Sequence, residues 1–319
     1  MRAVFFDRYG PPEVLRIEDV PKPTPRARDL LVRVHASSVT RTDTGARTAE
    51  YAVARLATGL VRPRHKPLGW EFAGEVEAMG ADVEGFAVGD RVFGLAAGSN
   101  ADYVRVRATG PVAHMPPSMP IEEAAAVPDG ACTARSLLQQ AGAREGQTIL
   151  IYGASGSIGT AAVQLAKQLG ATVVAVCDTA KLEVVRSLGP DAVIDYTKES
   201  FLQSGERHDV ILDAVGKLAA SEARRSLAPG GVYLTAGSPG SLGGVLARML
   251  FTNWASKTKV KLGVARYKKE DVLFVKQLIE AGDYRPVIDR TYALEDIVEA
   301  HRYVDTEQKT GNVVLTLAG

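Results

Sequence analysis

A glycine-rich stretch near the middle of the chain has the composition of a phosphate-binding turn. It follows the apolar run Thr148–Tyr152 and precedes a segment, 160–169, whose apolar residues share one helical face. Glycines in such a strand–helix turn let the backbone approach a pyrophosphate, and the helix start attracts the anion. The residues that we predict to bind a dinucleotide here are Gly153, Ser155, Gly156, Ser157, Ile158 and Gly159. The spacing alone also fits a glycine turn that serves packing only.

Asp178 and Lys181 follow the next predicted strand and give opposing indications about the cofactor. Asp178 lies 19 residues after Gly159, close to the spacing of about 20 at which an acidic residue binds the adenosine ribose of NAD. Lys181 could instead pair with a ribose 2′-phosphate. Asp178 is equally suited to cap the helix that starts near 179–181, and Lys181 to be a solvated residue of that helix.

A parallel sheet is needed to bring these candidate residues together. From about residue 120, apolar strands alternate with helical segments, and the strands fall at 148–152, 172–177, 192–194, 209–214 and 231–236. This alternation is typical of a parallel sheet covered on both faces. Because ligands bind at the carboxyl ends of such strands, we expect the nicotinamide ribose and carboxamide to be held by Val215, Gly216, Ala236 and Gly237.

The N-terminal part of the chain has a different pattern. Short strands broken by prolines and glycines occupy residues 1–117 and indicate a compact β-barrel-like domain. Strand patterning returns near the C-terminus, in 285–289 and 311–316. We therefore predict an α/β protein with two domains, one formed by 1–117 together with 285–319 and the other by 118–284.

The composition argues against several kinds of partner. The 319 residues include 38 basic and 37 acidic side chains, a net charge of +1, so we expect neither nucleic acid nor an anionic membrane as partner. No apolar stretch approaches the roughly 20 residues of a membrane span, and the first eight residues lack a signal-peptide core. Two cysteines, Cys132 and Cys177, are too few for a disulfide framework. These features favour a cytoplasmic protein.

Several motifs, in a fixed order along the whole chain, are similar to those of one known family. They occupy residues 9–15, 36–43, 68–74, 89–94, 124–128, 151–166, 193–196 and 311–314. On these residues the chain resembles the medium-chain dehydrogenase/reductase superfamily, and more narrowly its zinc-free quinone oxidoreductase branch. The resemblance implies a GroES-like catalytic domain built from both chain ends, with a Rossmann domain, a doubly wound parallel sheet, between them.

The resemblance raises the question of zinc, because the superfamily includes zinc alcohol dehydrogenases. A catalytic zinc needs three protein ligands and an open position. On the shared motifs, Thr40 stands at the family's cysteine position and Trp70 at its histidine position, while Asp129 falls near the third. No cysteine lies in 90–115, where the family's structural zinc lobe is expected, and the five histidines show no ligand spacing. We therefore predict no bound metal.

Without a Lewis acid, a quinone or an α,β-unsaturated carbonyl is the more reactive acceptor, because it can take hydride with hydrogen-bond assistance alone. Thr40 is the candidate hydroxyl donor to the acceptor oxygen, and Asp43 is expected in the same cleft; both residues could instead cap the helix that follows.

Tyr51 and Trp70 are candidates for an aromatic wall against a flat substrate, although such residues are more often part of a core. The basic stretch 46–65 is either a binding loop or a surface excursion.

The resemblance also bears on the cofactor. In quinone reductases of this type a lysine and a tyrosine, matching Lys181 and Tyr196, flank the 2′-phosphate. Asp178 stands where a hydroxyl-bearing residue is expected, and its carboxylate repels a phosphate dianion. Because Lys181 can offset that repulsion, we predict NADPH as the cofactor, with NADH as the alternative.

These observations predict an NADPH-dependent oxidoreductase that transfers hydride to a small-molecule quinone or α,β-unsaturated carbonyl, without zinc. Two alternatives remain open from the sequence. One is a zinc-free alcohol or aldehyde dehydrogenase, and the other is a non-catalytic NADPH-binding sensor. A homodimer is predicted through edge-strand pairing near 259–264.

Overall fold

The computed structural model describes residues 1–49, 59, 62–63, 66–203, 205–237 and 258–317. In chain order its strands are β1 (Arg2–Phe5), β2 (Arg16–Asp19), β3 (Asp29–Val39), β4 (Glu71–Met79), β5 (Arg91–Leu95), β6 (Tyr103–Arg107), β7 (Val112–His114), β8 (Thr148–Tyr152), β9 (Thr172–Cys177), β10 (Ala192–Asp195), β11 (His208–Asp213), β12 (Leu227–Thr235), β13 (Lys259–Leu262), β14 (Ile288–Ala293) and β15 (Asn312–Thr316).

The α-helices are α1 (Arg41–Thr48), α2 (Ile121–Ala125), α3 (Pro128–Ala141), α4 (Ser157–Gln168), α5 (Leu182–Arg186), α6 (Ala220–Arg225), α7 (Lys269–Ala281) and α8 (Ile297–Asp305). Short 3₁₀ helices occur at Pro12–Val14, Thr179–Lys181 and Leu294–Asp296. Among the residues given above, none of the helices combines the length and the hydropathy that crossing a membrane requires.

The chain folds as two compact units, one formed by Met1–Asp129 with Tyr267–Gly319 and the other by Gly130–Arg266. These boundaries differ from those predicted from the sequence, which lay after 117 and before 285. The difference arises because α2 packs on β3 and β4, and α7 packs on β7. Both helices therefore belong to the first unit, where α7 buries Val272, Val275 and Leu278.

The first unit is built on a seven-stranded sheet in which β14, β15, β3, β4, β5 and β7 are neighbours in that order and β6 also pairs with β3. β3 is central because it pairs with β4, β6 and β15. Val313 of β15 lies opposite Val39 of β3, so the C-terminal strand closes back onto the N-terminal part of the chain, as the strand patterning predicted. β14 starts at Ile288 and not at the predicted 285; Pro286 has no N–H for strand pairing.

The second unit contains a six-stranded parallel sheet in the order β10, β9, β8, β11, β12, β13. Numbered within the unit, this is the order 3-2-1-4-5-6 of a doubly wound dinucleotide-binding fold. The strand order reverses between the neighbouring parallel strands β8 and β11, which is the switch point of the sheet. Ile149, Leu150 and Ile151 of β8 are fully buried, because helices cover both faces of a central parallel strand. The predicted α/β class with a Rossmann sheet is confirmed.

Candidate active site

The glycine-rich turn joins the end of β8 to α4, and its glycines have different roles. Gly153 has a φ of +78°, and a Cβ on Gly159 would lie 2.1 Å from the Gly153 carbonyl oxygen, so both positions favour glycine for backbone reasons. Gly156 is the N-cap of α4, and among the described residues a Cβ there would come within 4 Å of a single atom, the Gly153 oxygen, at 3.9 Å. Space next to the helix N-terminus is therefore open. The other predicted residues of the turn, Ser155, Ser157 and Ile158, lie just before α4 and in its first turn.

Asp178, Lys181 and Tyr196 follow β9 and β10, the strands next to β8. Asp178 caps the Thr179–Lys181 turn by accepting from the Ala180 N–H at 3.1 Å. Its alternative role as a helix cap, which the sequence also predicted, is therefore present. The same carboxylate forms an ion pair with the Lys181 Nζ at 3.1 Å. Lys181 is buried, so its interpretation as a solvated residue is wrong. Tyr196 is 52% exposed.

A buried carboxylate that the sequence did not single out shapes the next part of this sheet edge. Asp213, the last residue of β11, accepts through Oδ1 from the N–H groups of Val215 at 3.1 Å and Gly216 at 2.8 Å. Its Oδ2 accepts from the Leu218 N–H and the Tyr233 hydroxyl, each at 3.0 Å. This one side chain thus fixes the loop that carries two predicted cofactor residues.

The loops after β11 and β12 lie against each other and against the glycine turn. The Ala236 N–H donates to the Asp213 carbonyl at 2.8 Å, and a Cβ on Gly216 would come within 2.9 Å of the Gly237 Cα. The Val215 side chain lies 2.6 Å from where a Gly153 Cβ would be. The structure therefore brings the predicted dinucleotide residues to the carboxyl edge of one sheet, around its switch point.

In the first unit, Thr40 and Asp43 form a capping box at the start of α1. The Thr40 Oγ1 accepts from the Asp43 N–H at 3.3 Å, and the Asp43 Oδ2 accepts from both the N–H and the hydroxyl of Thr40 at 2.8 Å. Both residues are buried. Burial raises the pKa of Asp43 to about 7, against the opposing effect of these hydrogen bonds. The capping alternative is thus present for both residues.

Two further carboxylates, Glu71 and Asp129, are buried close to Asp43, and we call these three residues the carboxylate cluster. The Asp129 N–H donates to the Glu71 Oε2 at 2.7 Å, and the Ser38 hydroxyl donates to its Oε1. Burial, and then the charge of Asp129, raise the pKa of Glu71. Burial also raises the pKa of Asp129, against the hydrogen bond from Tyr267.

Tyr267 and Trp70 form an aromatic pair next to the carboxylate cluster. The Tyr267 hydroxyl donates to the Asp129 Oδ1 at 2.8 Å. Its ring meets Trp70 edge-on, with centroids 5.8 Å apart and an interplanar angle of 63°. Both side chains are partly exposed. The Trp70 Nε1 is buried and has no hydrogen-bond partner in the part of the chain that the structure describes. Tyr51, the other predicted pocket residue, lies outside the described residues.

Lys309 supplies positive charge to the carboxylate cluster. Burial lowers the pKa of Lys309 to about 8, and Glu71 and then Asp129 oppose that shift. The lysine Nζ also donates to the Gly311 carbonyl. Lys309 therefore interacts with two carboxylates of the cluster that lie away from water.

Comparison with known proteins assigns this arrangement to a family. Residues 26–117 match the family model of the alcohol dehydrogenase GroES-like domain, and residues 188–315 match that of zinc-binding dehydrogenase. The quinone oxidoreductase of Pseudomonas aeruginosa is 33% identical over 98% of this chain and 99% of its own length. The chain belongs to the medium-chain dehydrogenase/reductase superfamily. Within it, the chain lies in the quinone oxidoreductase-like branch, as the motifs predicted.

Two further similarities bear on the reaction and the fold of this superfamily member. The 2-methylene-furan-3-one reductase of Solanum lycopersicum is 32% identical over 99% of this chain and 79% of its own length. The solved quinone oxidoreductase from Coxiella burnetii has a TM-score of 0.88 at 27% identity and covers 100% of this chain and 99% of its own. The chain is thus an oxidoreductase of the medium-chain type, and its GroES-like domain is confirmed.

Zinc appears in the description of one family model, so the residues at the family's ligand positions were tested against that metal. Trp70 carries only an indole N–H, which cannot bind a cation. The Thr40 hydroxyl is engaged with Asp43, and Asp129 accepts from Tyr267. Over the described ranges, no three Cys, His, Asp or Glu side chains are grouped so that they could hold a metal ion. The donor set does not fit zinc, and no chemical step is assigned to it.

The carboxyl edge of the Rossmann sheet, in contrast, fits a nicotinamide dinucleotide. The open space at Gly156, beside the first turn of α4, suits a pyrophosphate. The Asp178–Lys181 pair lies after β9, where the adenosine ribose of such a cofactor is bound. The exposed Tyr196 and Val215 provide apolar surface on either side.

Sequence reasoning missed part of this site for identifiable reasons. Asp129 was named only as a residue near the third ligand position. Glu71 was assigned no role, although its neighbours Trp70 and Phe72 indicate a buried charge that needs partners. Asp213 had a weaker signal as the last residue of a buried strand. Tyr267 and Lys309 had no local signal, because distant strands and helices bring them to the cluster.

Proposed function

We propose that this protein is an NADPH-dependent reductase that transfers hydride to a quinone or an α,β-unsaturated carbonyl, without zinc. The observation that carries the proposal is the donor set at the family's ligand positions, where Thr40, Trp70 and Asp129 offer hydrogen-bonding groups and not three metal ligands. Such a site assists an acceptor that is already electron-poor. Relatives named quinone oxidoreductase and 2-methylene-furan-3-one reductase support this substrate class.

When bound at the sheet edge, NADPH supplies hydride from its nicotinamide C4. We assign to Thr40 the hydrogen bond to the acceptor oxygen and to Asp43 the control of that bond. With Asp43 ionised, the Thr40 hydroxyl donates to its Oδ2. A protonated Asp43 becomes a donor itself, so it can satisfy the Thr40 oxygen and release the threonine proton toward the acceptor. The Asp43 pKa of about 7 places this exchange near neutral pH. Trp70, together with Tyr51, would form the wall for a flat substrate.

An acceptor panel tests the proposal. NADPH oxidation by the purified protein is followed with p-benzoquinone, a linear enone and a simple aliphatic aldehyde. We expect turnover with the first two acceptors and little with the aldehyde. Faster turnover of the aldehyde would favour the zinc-free alcohol or aldehyde dehydrogenase. Tight NADPH binding with no turnover of any acceptor would favour the sensor. One zinc per chain by elemental analysis would contradict zinc independence.

The choice of NADPH rests on Lys181 and Tyr196, and Asp178 works against it. A 2′-phosphate must compete with Asp178 for Lys181. We therefore expect Asp178→Ser to raise the preference for NADPH over NADH, measured as the ratio of kcat/KM values, by about tenfold, which corresponds to about 1.4 kcal/mol. Glu183→Gln, an exposed acid on the adjoining helix, is the matched control and leaves the ratio unchanged. An unchanged ratio in Asp178→Ser, or better turnover with NADH before and after it, would overturn the NADPH assignment.

We also propose a cytoplasmic homodimer. Among the described strands, β13 lies at one edge of the Rossmann sheet, and an edge strand offers unpaired backbone groups to a second copy. Cys132 and Cys177 are both buried and unpaired with each other, which suits a reducing compartment. A monomer in sedimentation would contradict the dimer, and recovery in a secreted or organellar fraction would contradict the location.

A further inference from the structure

The carboxylate cluster brings three acid groups together away from water. Asp43 from α1, Glu71 from β4 and Asp129 from α3 interact with one another, and Glu71 and Asp129 also interact with Lys309, which precedes β15. The groups that act on Lys309 from the other side are Asp289 and Arg41. Burying several carboxylates close together is costly, and such groups take up protons instead. The cluster therefore retains protons near neutral pH.

The Tyr267 side chain links these buried carboxyl groups to the accessible surface. Glu71 and Asp129 are 0% and 6% exposed, so a substrate cannot reach them. Tyr267 donates to the Asp129 Oδ1 at 2.8 Å, is itself partly exposed, and lies edge-on to Trp70, the predicted substrate wall. The phenol is thus within hydrogen-bond distance of a carboxyl group and beside the aromatic surface on which a flat acceptor would lie.

We propose that Tyr267 is the catalytic acid of the reduction and that Asp129, its hydrogen-bond partner, returns the proton to it. This inference rests on the proposed function. Tyr267, and not solvent, is then the direct donor of the proton. Thr40 keeps its hydrogen bond to the acceptor oxygen, and Tyr267 provides the proton that the reduced acceptor must gain.

The step balances for an enone. The C–H bond at the nicotinamide C4 would break, its electron pair and hydrogen would form a C–H bond at the β-carbon, and the nicotinamide would be oxidised. The C=C electron pair then moves toward the carbonyl and gives an enolate. The Tyr267 O–H bond then breaks, and its proton bonds to the enolate. The phenolate takes the proton of the Asp129 carboxyl group, and solvent later restores that proton. A quinone needs the same hydride and proton to become a hydroquinone.

The test compares three nearly isosteric variants with the wild-type protein. Tyr267→Phe removes the hydroxyl and keeps the ring against Trp70. Asp129→Asn keeps an acceptor for Tyr267 but cannot hand over a proton. Tyr303→Phe is the control, because it removes another phenol–carboxylate hydrogen bond of the first unit, from Tyr303 to Asp289 at 2.7 Å. For each protein, kcat and KM for a linear enone are measured against pH, in H₂O and in D₂O.

A second readout does not depend on turnover. The infrared spectrum of the cofactor-free protein is recorded for the C=O stretch of a protonated carboxyl group. We expect this band in the wild type and in Tyr267→Phe, and its loss or shift in Asp129→Asn. Because the band is a property of the folded protein alone, it shows whether a carboxyl group of the cluster is protonated even where the reaction fails.

We expect Tyr267→Phe to lower kcat by about 100-fold or more with little change in KM, since a positioned acid contributes at least that factor. In the wild type kcat should fall as rising pH removes protons from the cluster. Both Tyr267→Phe and Asp129→Asn should weaken that dependence to the part that Asp43 sets through Thr40, while Tyr303→Phe keeps it in full. Wild-type kcat and pH profile in Tyr267→Phe would overturn the inference and leave solvent as the proton source. Absence of wild-type turnover with every acceptor would overturn the proposed function and, with it, the role of Tyr267.

Discussion

Replacing Asp213 by Asn tests whether one buried carboxylate holds the cofactor loop. The amide can keep its oxygen toward Val215 and Gly216, but its NH₂ then faces the Leu218 N–H, which loses its acceptor. An unpaired buried donor costs about 1–3 kcal/mol, and the bonds from Val215 and Gly216 each lose about 1 kcal/mol with the charge of their acceptor. The Tyr233 hydroxyl keeps a partner, because it also reaches the Leu218 carbonyl at 2.7 Å. The free energy of unfolding should therefore fall by about 3–5 kcal/mol.

The assay is urea unfolding together with NADPH binding followed by fluorescence. Because Val215 and Gly216 lie in the loop that Asp213 holds, we expect the Kd for NADPH to rise by about tenfold or more, a loss of at least about 1.4 kcal/mol. Asp209→Asn is the matched control. Asp209 lies in the same strand at its opposite end, where it accepts one N–H, from Thr148, at 2.9 Å. It should cost about 1 kcal/mol and leave the Kd unchanged.

Equal losses of stability in Asp213→Asn and Asp209→Asn would refute the reasoning about the hydrogen-bond network. A full loss of stability in Asp213→Asn with an unchanged Kd would refute the link between that network and the cofactor site. The two measurements therefore separate the structural role of Asp213 from its role in binding.

Two further predictions concern the glycine turn and the carboxylate cluster. Gly156→Ala should change stability by only about 1 kcal/mol and weaken NADPH binding, whereas Gly159→Ala, whose Cβ would lie 2.1 Å from a carbonyl oxygen, should lose several-fold more stability in urea unfolding; equal losses would contradict the assignment of open space to Gly156. Because burial raises the pKa of Glu71, the folded protein binds more protons than the unfolded chain above about pH 5, and its stability falls with rising pH by up to about 1.4 kcal/mol per unit. Glu71→Gln should flatten this slope in unfolding experiments between about pH 5 and pH 7, and an unchanged slope would show that Glu71 is ionised in the folded protein.

The Rossmann half of the protein could be predicted in detail because its signals are local. A buried strand, a glycine turn and a helix follow one another within about 20 residues, as expected for this motif. The parallel alternation then requires the ends of later strands to lie at the same edge. This is why the dinucleotide residues from Gly153 to Gly237 lie around one switch point. The helix-capping alternatives at Thr40 and Asp178 were also readable, since a cap depends only on the next few residues.

The domain boundaries could not be predicted from local sequence patterns. Periodicity identifies the apolar face of α7, but not the surface on which that face packs. The structure packs it on β7 of the first unit. Asp178 and Lys181 give a second example. From the sequence, their side chains were alternative ligands for different cofactors, whereas in the structure they form an ion pair with each other.

The sequence by itself thus determined the α/β class, the dinucleotide turn and the unsuitability of Thr40 and Trp70 as metal ligands, because each depends on residue type and on near neighbours. Only the tertiary structure decided which side chains come together beside Trp70. Tyr267 and Asp129 are 138 residues apart in the chain and form one hydrogen bond, and Lys309 comes to the same carboxylates from near the C-terminus. The physical reason is that the proton affinity of a carboxyl group depends on burial and on neighbouring charges, and both are created by long-range packing.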